Sequence, residues 1–276
     1  MNNIKISKNV INKIKKTIFE LSSGPVMVHS NLLGVMRLVT IQNNLNIHLD
    51  IIKEITNQQQ LWFASFDNQW VETKKFSVME TPSIVGVLNE YFRKNVSEWR
   101  TEVPLASFCG VKNEPYTYPQ FPLDIYGDNS LFYNLILQDG IILHYGSGFH
   151  DTTFIHFVEQ SLDKPLYRFD KIFNGSVIDR SGHEKKLSIQ FHCRPNNKHL
   201  NYNWVKIEKE LIEIGAVKKF DNEDFRIVII SAKMMVDYCK DRLKSNPLYL
   251  LDEESLKWII PALNNYGRRF VKEDFE

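Results

Sequence analysis

Apolar positions along this chain change their period repeatedly, and each change marks an element. Val10, Ile11, Ile14, Ile18 and Leu21 recur at helical spacing, which predicts an amphipathic helix over 8–22. Ser22-Ser23-Gly24-Pro25 stops it. Val26-Met27-Val28 then reads as a short buried strand that runs into the polar loop His29-Ser30-Asn31. A helix is expected over 45–56, a strand over 61–66 and a loop carrying Trp70 over 67–80. Thr81 and Pro82 supply an N-cap and a first-turn proline for a helix with Ile84, Val85, Leu88, Tyr91 and Phe92 on its apolar face. The second half of 98–110 is a short apolar strand, and 113–128 is a tyrosine- and proline-rich loop.

Asn129-Ser130 caps a helix that holds Leu131, Leu135 and Ile136 and ends at Gly140. Ile141 to Leu143 is a buried strand leading into Gly146 and Gly148, and a helix is expected to start at Asp151 or Thr152. A strand is expected over 165–173 and a polar hairpin or insertion over 174–186. Leu187, Ile189, Phe191 and Cys193 alternate with Ser188, Gln190 and His192, the period of a strand with one polar face. Trp204, Ile207, Leu211 and Ile214 mark a helix, followed by a strand over 225–230, a helix over 232–243 and a last helix over 254–260 before Pro261. Helices and strands intermix without a linker. The expectation is therefore α/β: a single mixed domain over 1–276 with an inserted lobe.

Composition narrows the class. The 276 residues are 43% hydrophobic, enough for a sizeable core. Lys plus Arg is 34 and Asp plus Glu is 33, so the basic excess of a nucleic-acid binder is missing. No run approaches the roughly 20 apolar residues that cross a bilayer. Cys109, Cys193 and Cys239 are odd in number and far apart, which argues against a disulfide framework or a zinc site and fits a reducing, cytoplasmic setting.

The chemistry gathers in 141–159, IILHYGSGFHDTTFIHFVE. A strand, a glycine loop and a helix start make a common ligand-binding layout in α/β folds. Thr153, His156 and Glu159 stand at i, i+3 and i+6, so on a helix they are expected to share a face. An imidazole suits a general base near neutral pH, a neighbouring carboxylate would hold its tautomer, and a hydroxyl could stabilise an oxyanion. Asp151 is the other candidate carboxylate, unless it only caps the helix. His29 stands at the C-terminal end of a strand, where such folds place ligand loops.

Four segments in this order resemble the aminoglycoside 3-N-acetyltransferase family, which is distinct from the GNAT acetyltransferases. They are VMVHSNLLGVMR; TPSIVGVLNEYFR with WRTEVPLASFCG; YGDNSLFYNL with DGIILHYGSGFHDTTFIHFVE; and IEKELIEIGAVKKF through VDYCKDRLKSNPLYLLD. The resemblance implies transfer of an acyl group from acetyl-CoA, or another acyl-CoA, to an amine on a sugar, directly and with no metal. It implies His156 as catalytic base with Thr153 and Glu159 beside it. His29, Ser30, Asn31 and Leu32 would form the coenzyme loop, with Ser107 in the matched proline-serine strand. Arg100, Tyr116, Tyr118 and His192 are the candidate acceptor contacts, and a homodimer is the assembly considered. Two positions depart from the family: Val103 replaces a histidine, and LSIQFHC offers Gln190 and His192 where a carboxylate is usual.

The balanced charge favours a nucleotide-linked amino sugar of surface-polysaccharide synthesis over a polycationic aminoglycoside, whose site should be acidic. Two further readings compete. One is a thiol enzyme using Cys109 with His29 or His156. The other is a non-catalytic, sugar-binding descendant of the family.

Overall fold

A computed structural model describes residues 6–39, 44–112, 114 and 122–275. In chain order the elements begin with α1 (Lys8–Leu21), β1 (Val26–Ser30), α2 (Leu45–Ile55), β2 (Leu61–Ala64), α3 (Trp70–Thr73), β3 (Lys75–Ser77) and α4 (Val87–Asn95). Next come β4 (Trp99–Arg100), β5 (Phe108–Gly110), β6 (Leu123–Asp124), α5 (Leu131–Leu137), β7 (Ile141–Tyr145) and α6 (Ile155–Gln160). The chain closes with β8 (Phe169–Ile178), β9 (Glu184–Cys193), α7 (Trp204–Glu213), β10 (Val217–Asp221), β11 (Arg226–Ser231), α8 (Ala232–Ser245) and α9 (Glu253–Tyr266).

Two sheets organise these elements. A seven-stranded sheet runs β10-β11-β7-β1-β2-β5-β4. Its centre is parallel, with β1 between β7 and β2, and these strands are buried along almost their whole length. That explains their continuous apolar runs. A four-stranded sheet runs β3-β8-β9-β6 and is dominated by the antiparallel β8–β9 hairpin. Both sheets contribute to one core, with Met27 and Trp62 from the first joining Phe76, Val177 and Leu187 from the second. The fold is mixed α/β as expected, but the expected lobe is built differently. The hairpin tip at 179–183 projects from strands that pair at both edges with distant β3 and β6.

Several boundaries differ from the sequence expectation. The loop over 67–80 contains α3 and β3. The helix expected from Thr81 starts at Val87 instead. Thr81 is diverted, its hydroxyl accepting from Ser77 N and its carbonyl from Arg100, and Gly86 at φ 113° turns the chain before the helix begins. β8 starts at Phe169 rather than 165, because Pro165 to Arg168 forms a turn closed by Arg168 N to Pro165 O. The last helix continues through Pro261, whose ring faces solvent, and stops at Gly267 in the left-handed conformation. β10 was unforeseen: VKKFD is an edge strand with exposed lysines and little apolar signal.

Candidate active site

The two central parallel strands end side by side. Ser30 of β1 pairs with Tyr145 of β7, so the loops that follow emerge together. They touch through glycine: a Cβ on Gly34 would lie 2.0 Å from Gly146 O, and Gly146 itself has φ 82°. The helix expected at Asp151 or Thr152 begins later. Phe149–Asp151 is first a 3-10 turn, in which the Asp151 carboxylate accepts from Gly148 N at 3.1 Å. Thr152 Oγ1 meets His144 Nε2 at 2.9 Å, while His144 Nδ1 meets Ser147 Oγ at the same distance. These two contacts tie the end of β7 to the turn, and α6 follows from Ile155.

This delay separates the residues expected on one face. Thr153 precedes α6 and lines an open cleft of about 630 Å³. Glu159 turns the other way and is 3% exposed. His156 lies between them, with its side chain 26% exposed. Asp151 is held by the 3-10 turn, so the carboxylate at the imidazole is Glu159, whose Oε2 lies 2.9 Å from His156 Nδ1.

Glu159 is itself clamped. Arg168 Nε donates to its Oε1 at 2.8 Å, and Arg168 Nη2 donates to Tyr202 OH at 2.8 Å. Tyr202 OH lies 2.9 Å from His156 Nδ1. Burial pushes the Glu159 pKa up, but Arg168 outweighs it, aided by the hydrogen bond from His156, and the group stays ionised well below the usual carboxylate range. Burial lowers the His156 pKa to about 4, partly offset by the hydrogen bond to Glu159. With Nδ1 facing a carboxylate, the Nε2 of a neutral His156 carries the lone pair, and no described residue bonds it. Glu159 and Tyr202 thus fix the ring in one orientation.

His192 Nδ1 meets Gln160 Oε1 at 2.8 Å, and Gln160 Nε2 donates to Asp124 Oδ2 at 2.5 Å. The Tyr126 ring stacks on His192 at 4.8 Å and lies 5.3 Å from His156. At 3% exposure, His192 stands behind Glu159 rather than on the open surface expected of an acceptor contact. Nδ1 of His156, Oε2 of Glu159 and a nitrogen of His192 are close enough for a metal to bridge, since the ligand atoms of the three residues lie within 4.8 Å of one another. Arg168 already neutralises that carboxylate, which opposes a cation there.

The 630 Å³ cleft gathers His29, Ser30, Asn31 and Leu32 with Thr153, Asp151 and the start of α4. Ser30 Oγ donates to Asn89 Oδ1, whose Nδ2 donates to Ala64 O at 2.7 Å, so the loop is fastened to the helix. No side chain caps the first turn of α4. His29 stacks on His144 at 5.1 Å, and its buried Nε2 has no partner among the described residues. Burial lowers its pKa to about 4, with Asp151 opposing. Ser107 is not on this cleft. It is fully buried, 3.0 Å from both Arg100 Nε and Ser65 Oγ.

Arg100 is 3% exposed and spends its donors on Ser65 O, Val78 O and Thr81 O. It also borders a second cleft, about 490 Å³, with Glu102, Val103, Leu123 and the hairpin tip. Tyr116 and Tyr118 lie outside the described residues. Burial pushes the Cys109 thiol up to about 12 in a fully buried position, which removes it as a nucleophile.

Sequence reasoning missed Arg168, Tyr202, Tyr126 and the Asp124–Gln160 pair. Arg168, Tyr202 and the Asp124–Tyr126 segment lie outside α6 and carry no spacing signal, while Gln160 stands on α6 itself, one residue after Glu159.

No curated protein sequence matches the chain. Solved structures do. AAC-IIIb in a binary complex with CoASH aligns at 17% identity and TM-score 0.65, over 85% of this chain and 96% of that one. Aminoglycoside acetyltransferase AAC(3)-IVa, as apoenzyme, aligns at 16% identity and TM-score 0.66, over 89% and 94%. Sisomicin-bound AAC-VIa aligns at 15% identity and TM-score 0.64, over 85% and 97%. The sequence pattern of the family described as aminoglycoside 3-N-acetyltransferase matches residues 47–244, and the chain therefore belongs to that family of acyl-CoA-dependent N-acyltransferases.

Proposed function

We propose that the chain is one N-acyltransferase domain that moves an acetyl group from acetyl-CoA to the amine of a nucleotide-linked amino sugar, with His156 as general base. The observation that carries this reading is the ionised, buried Glu159 held by Arg168 while its other oxygen meets His156 Nδ1. His156 Nε2 takes a proton from the attacking amine, and Glu159 stabilises the imidazolium that results. Thr153, on the wall of the 630 Å³ cleft, donates its hydroxyl to the thioester oxygen as that oxygen gains charge. The amine nitrogen bonds the acyl carbon, the carbon–sulfur bond breaks, and CoA leaves as thiolate with no covalent enzyme intermediate.

The 630 Å³ cleft suits the coenzyme. The uncapped start of α4 offers N–H groups and positive potential to a phosphate. Neutral His29 offers an unpaired Nε2 to an amide of the pantetheine arm. AAC-IIIb, a structural neighbour, is solved with CoASH. The acceptor is assigned to the 490 Å³ cleft, whose lining includes Glu114 and Leu123. Arg180, Lys185 and Lys186 stand there beside Glu102, Glu114 and Asp179, so cations balance the acids, which suits a sugar with an anionic tail. The sisomicin carried by AAC-VIa supports the second reading, an aminoglycoside acceptor and antibiotic resistance. The three free cysteines support a reducing, cytoplasmic setting.

Thiol release from acetyl-CoA, measured across dTDP- and UDP-amino sugars and aminoglycosides, tests both readings. Turnover of aminoglycosides alone would overturn the nucleotide-sugar assignment. Absence of turnover with every acceptor, in protein that binds CoA, would favour a sugar-binding descendant.

A further inference from the structure

The polar groups behind Glu159 can be assigned hydrogen by hydrogen. The Asp124 carboxylate only accepts, so the Gln160 atom 2.5 Å from it is the amide nitrogen. Gln160 therefore turns its carbonyl oxygen to His192 Nδ1, 2.8 Å away. A carbonyl only accepts as well, so Nδ1 carries the proton. Burial disfavours the charged ring, and a neutral imidazole has one N–H, which leaves a lone pair on Nε2. That nitrogen is buried, has no hydrogen-bond partner among the described residues, and lies 3.4 Å from Glu159 Oε2. Two acceptors thus face each other. Neither is free to withdraw: Arg168 and His156 hold Glu159, while Gln160 and the Tyr126 ring hold His192.

We propose that His192 is a positioning residue whose protonation competes with His156 for Glu159. Unprotonated, it leaves Glu159 Oε2 wholly to His156. When Nε2 takes a proton from solvent, an N–H bond forms, no other bond breaks, and the acceptor contact becomes a charge-assisted hydrogen bond. Glu159 Oε2 is then shared, and His156 loses the anion that orients it and stabilises its charged form. The surroundings set the threshold. Burial and the Arg168 cation disfavour the charged ring, while Glu159 of α6 and Asp124 of β6 favour it. His156 adds a like charge when protonated. Asp170, opposite His192 across β8–β9, is occupied by Lys164 and Arg269.

The inference rests on His156 acting as the base, and the test separates the two. Nitrogen-15 NMR of the wild-type imidazoles at pH 7.5, with no acceptor needed, should show His192 with Nδ1 protonated and Nε2 bare. On acidification, the His156 Nδ1–H signal should weaken its carboxylate-bonded character as His192 Nε2 gains its proton. The opposite His192 tautomer, or a His156 signal indifferent to His192, would overturn the proposal. Kinetics give the second readout. His192→Asn retains a donor near Nδ1 and deletes Nε2. With acetyl-CoA and whichever acceptor the thiol-release screen identifies, its acid limb in kcat/KM should move about one pH unit lower. A lower plateau with an unmoved limb would mean a merely structural role. Full activity of His156→Ala would remove the base reading and leave the NMR result standing.

Discussion

Two sides of the candidate site are built on opposite terms. Toward the four-stranded sheet, Glu159, Arg168 and Tyr202 are buried and both Glu159 oxygens face donors, with only His192 Nε2 left unpaired among the described residues there. Toward the ends of β1 and β7, the wall is open and carries unpaired groups: the buried Nε2 of His29 and the uncapped first turn of α4. A buried polar group without a partner is costly, so a fold retains one mainly where something else will satisfy it. The saturated side fixes the His156 ring in one orientation, as the proposed base requires; the unsaturated side leaves donors and a lone pair that the proposed coenzyme would meet. Cys109 stays outside this chemistry because it is fully buried, with its sulfur 3.7 Å from Phe63 O.

Breaking the saturated side should have the largest consequences. His156→Ala should lower kcat by roughly 10²–10⁴, the usual range for a lost general base, with CoA affinity little changed. Wild-type kcat in that variant, on a true substrate, would make the ring structural. Arg168→Met should be nearly as severe but register as stability, because it leaves Glu159 buried without its cation, at a cost of about 3–5 kcal/mol. Denaturant unfolding measures it, and adding Glu159→Gln should recover part of the loss. Recovery would show that the charge, rather than the packing, is what Arg168 serves.

Changes on the open side should be milder and confined to binding. Ser30→Ala removes the hydroxyl that fastens the β1 loop to Asn89, and should raise the KM for acetyl-CoA by about tenfold with kcat retained. A fall in kcat alone would place that loop nearer the chemistry than proposed. Replacing Tyr116 and Tyr118 by Ala should raise the acceptor KM and leave CoA affinity unchanged; unaltered acceptor kinetics would remove the loop from the acceptor site.

Acid should act on both sides through their buried imidazoles. His29 and His156 titrate at about 4 in the folded protein, His144 is also held low, and an unfolded histidine titrates near 6.5. Below 6.5 the unfolded chain therefore binds protons that the folded chain refuses. Stability is full above that value and falls as pH drops toward 4. A Tm that stays flat over this window would contradict the burial of these rings. For the same reason the acid limb of the rate should lie below neutrality, not at it as an unperturbed imidazole would place it.

Periodicity and capping are local, and for that reason they were legible in the chain. The period of Ile14 and Ile18 within α1, the buried run of β7 and the Ser130 cap each depend on neighbours a few residues away. So does the His156–Glu159 spacing, which survives because three residues on α6 place both side chains in reach. What the local pattern could not decide was direction. Thr153 was expected beside Glu159, but the 3-10 turn at Phe149–Asp151 delays the helix and sends the two side chains apart. The partners of the base lay still further beyond it. Tyr202 is 46 residues from His156, Asp124 is 36 from Gln160, and Arg168 reaches Glu159 only because Pro165 turns the chain before β8. These contacts depend on how β8, β9 and β6 pair and where that sheet packs. Such pairings are set by the burial of whole faces, and they leave no spacing in the sequence from which a single carboxylate's partner could be read.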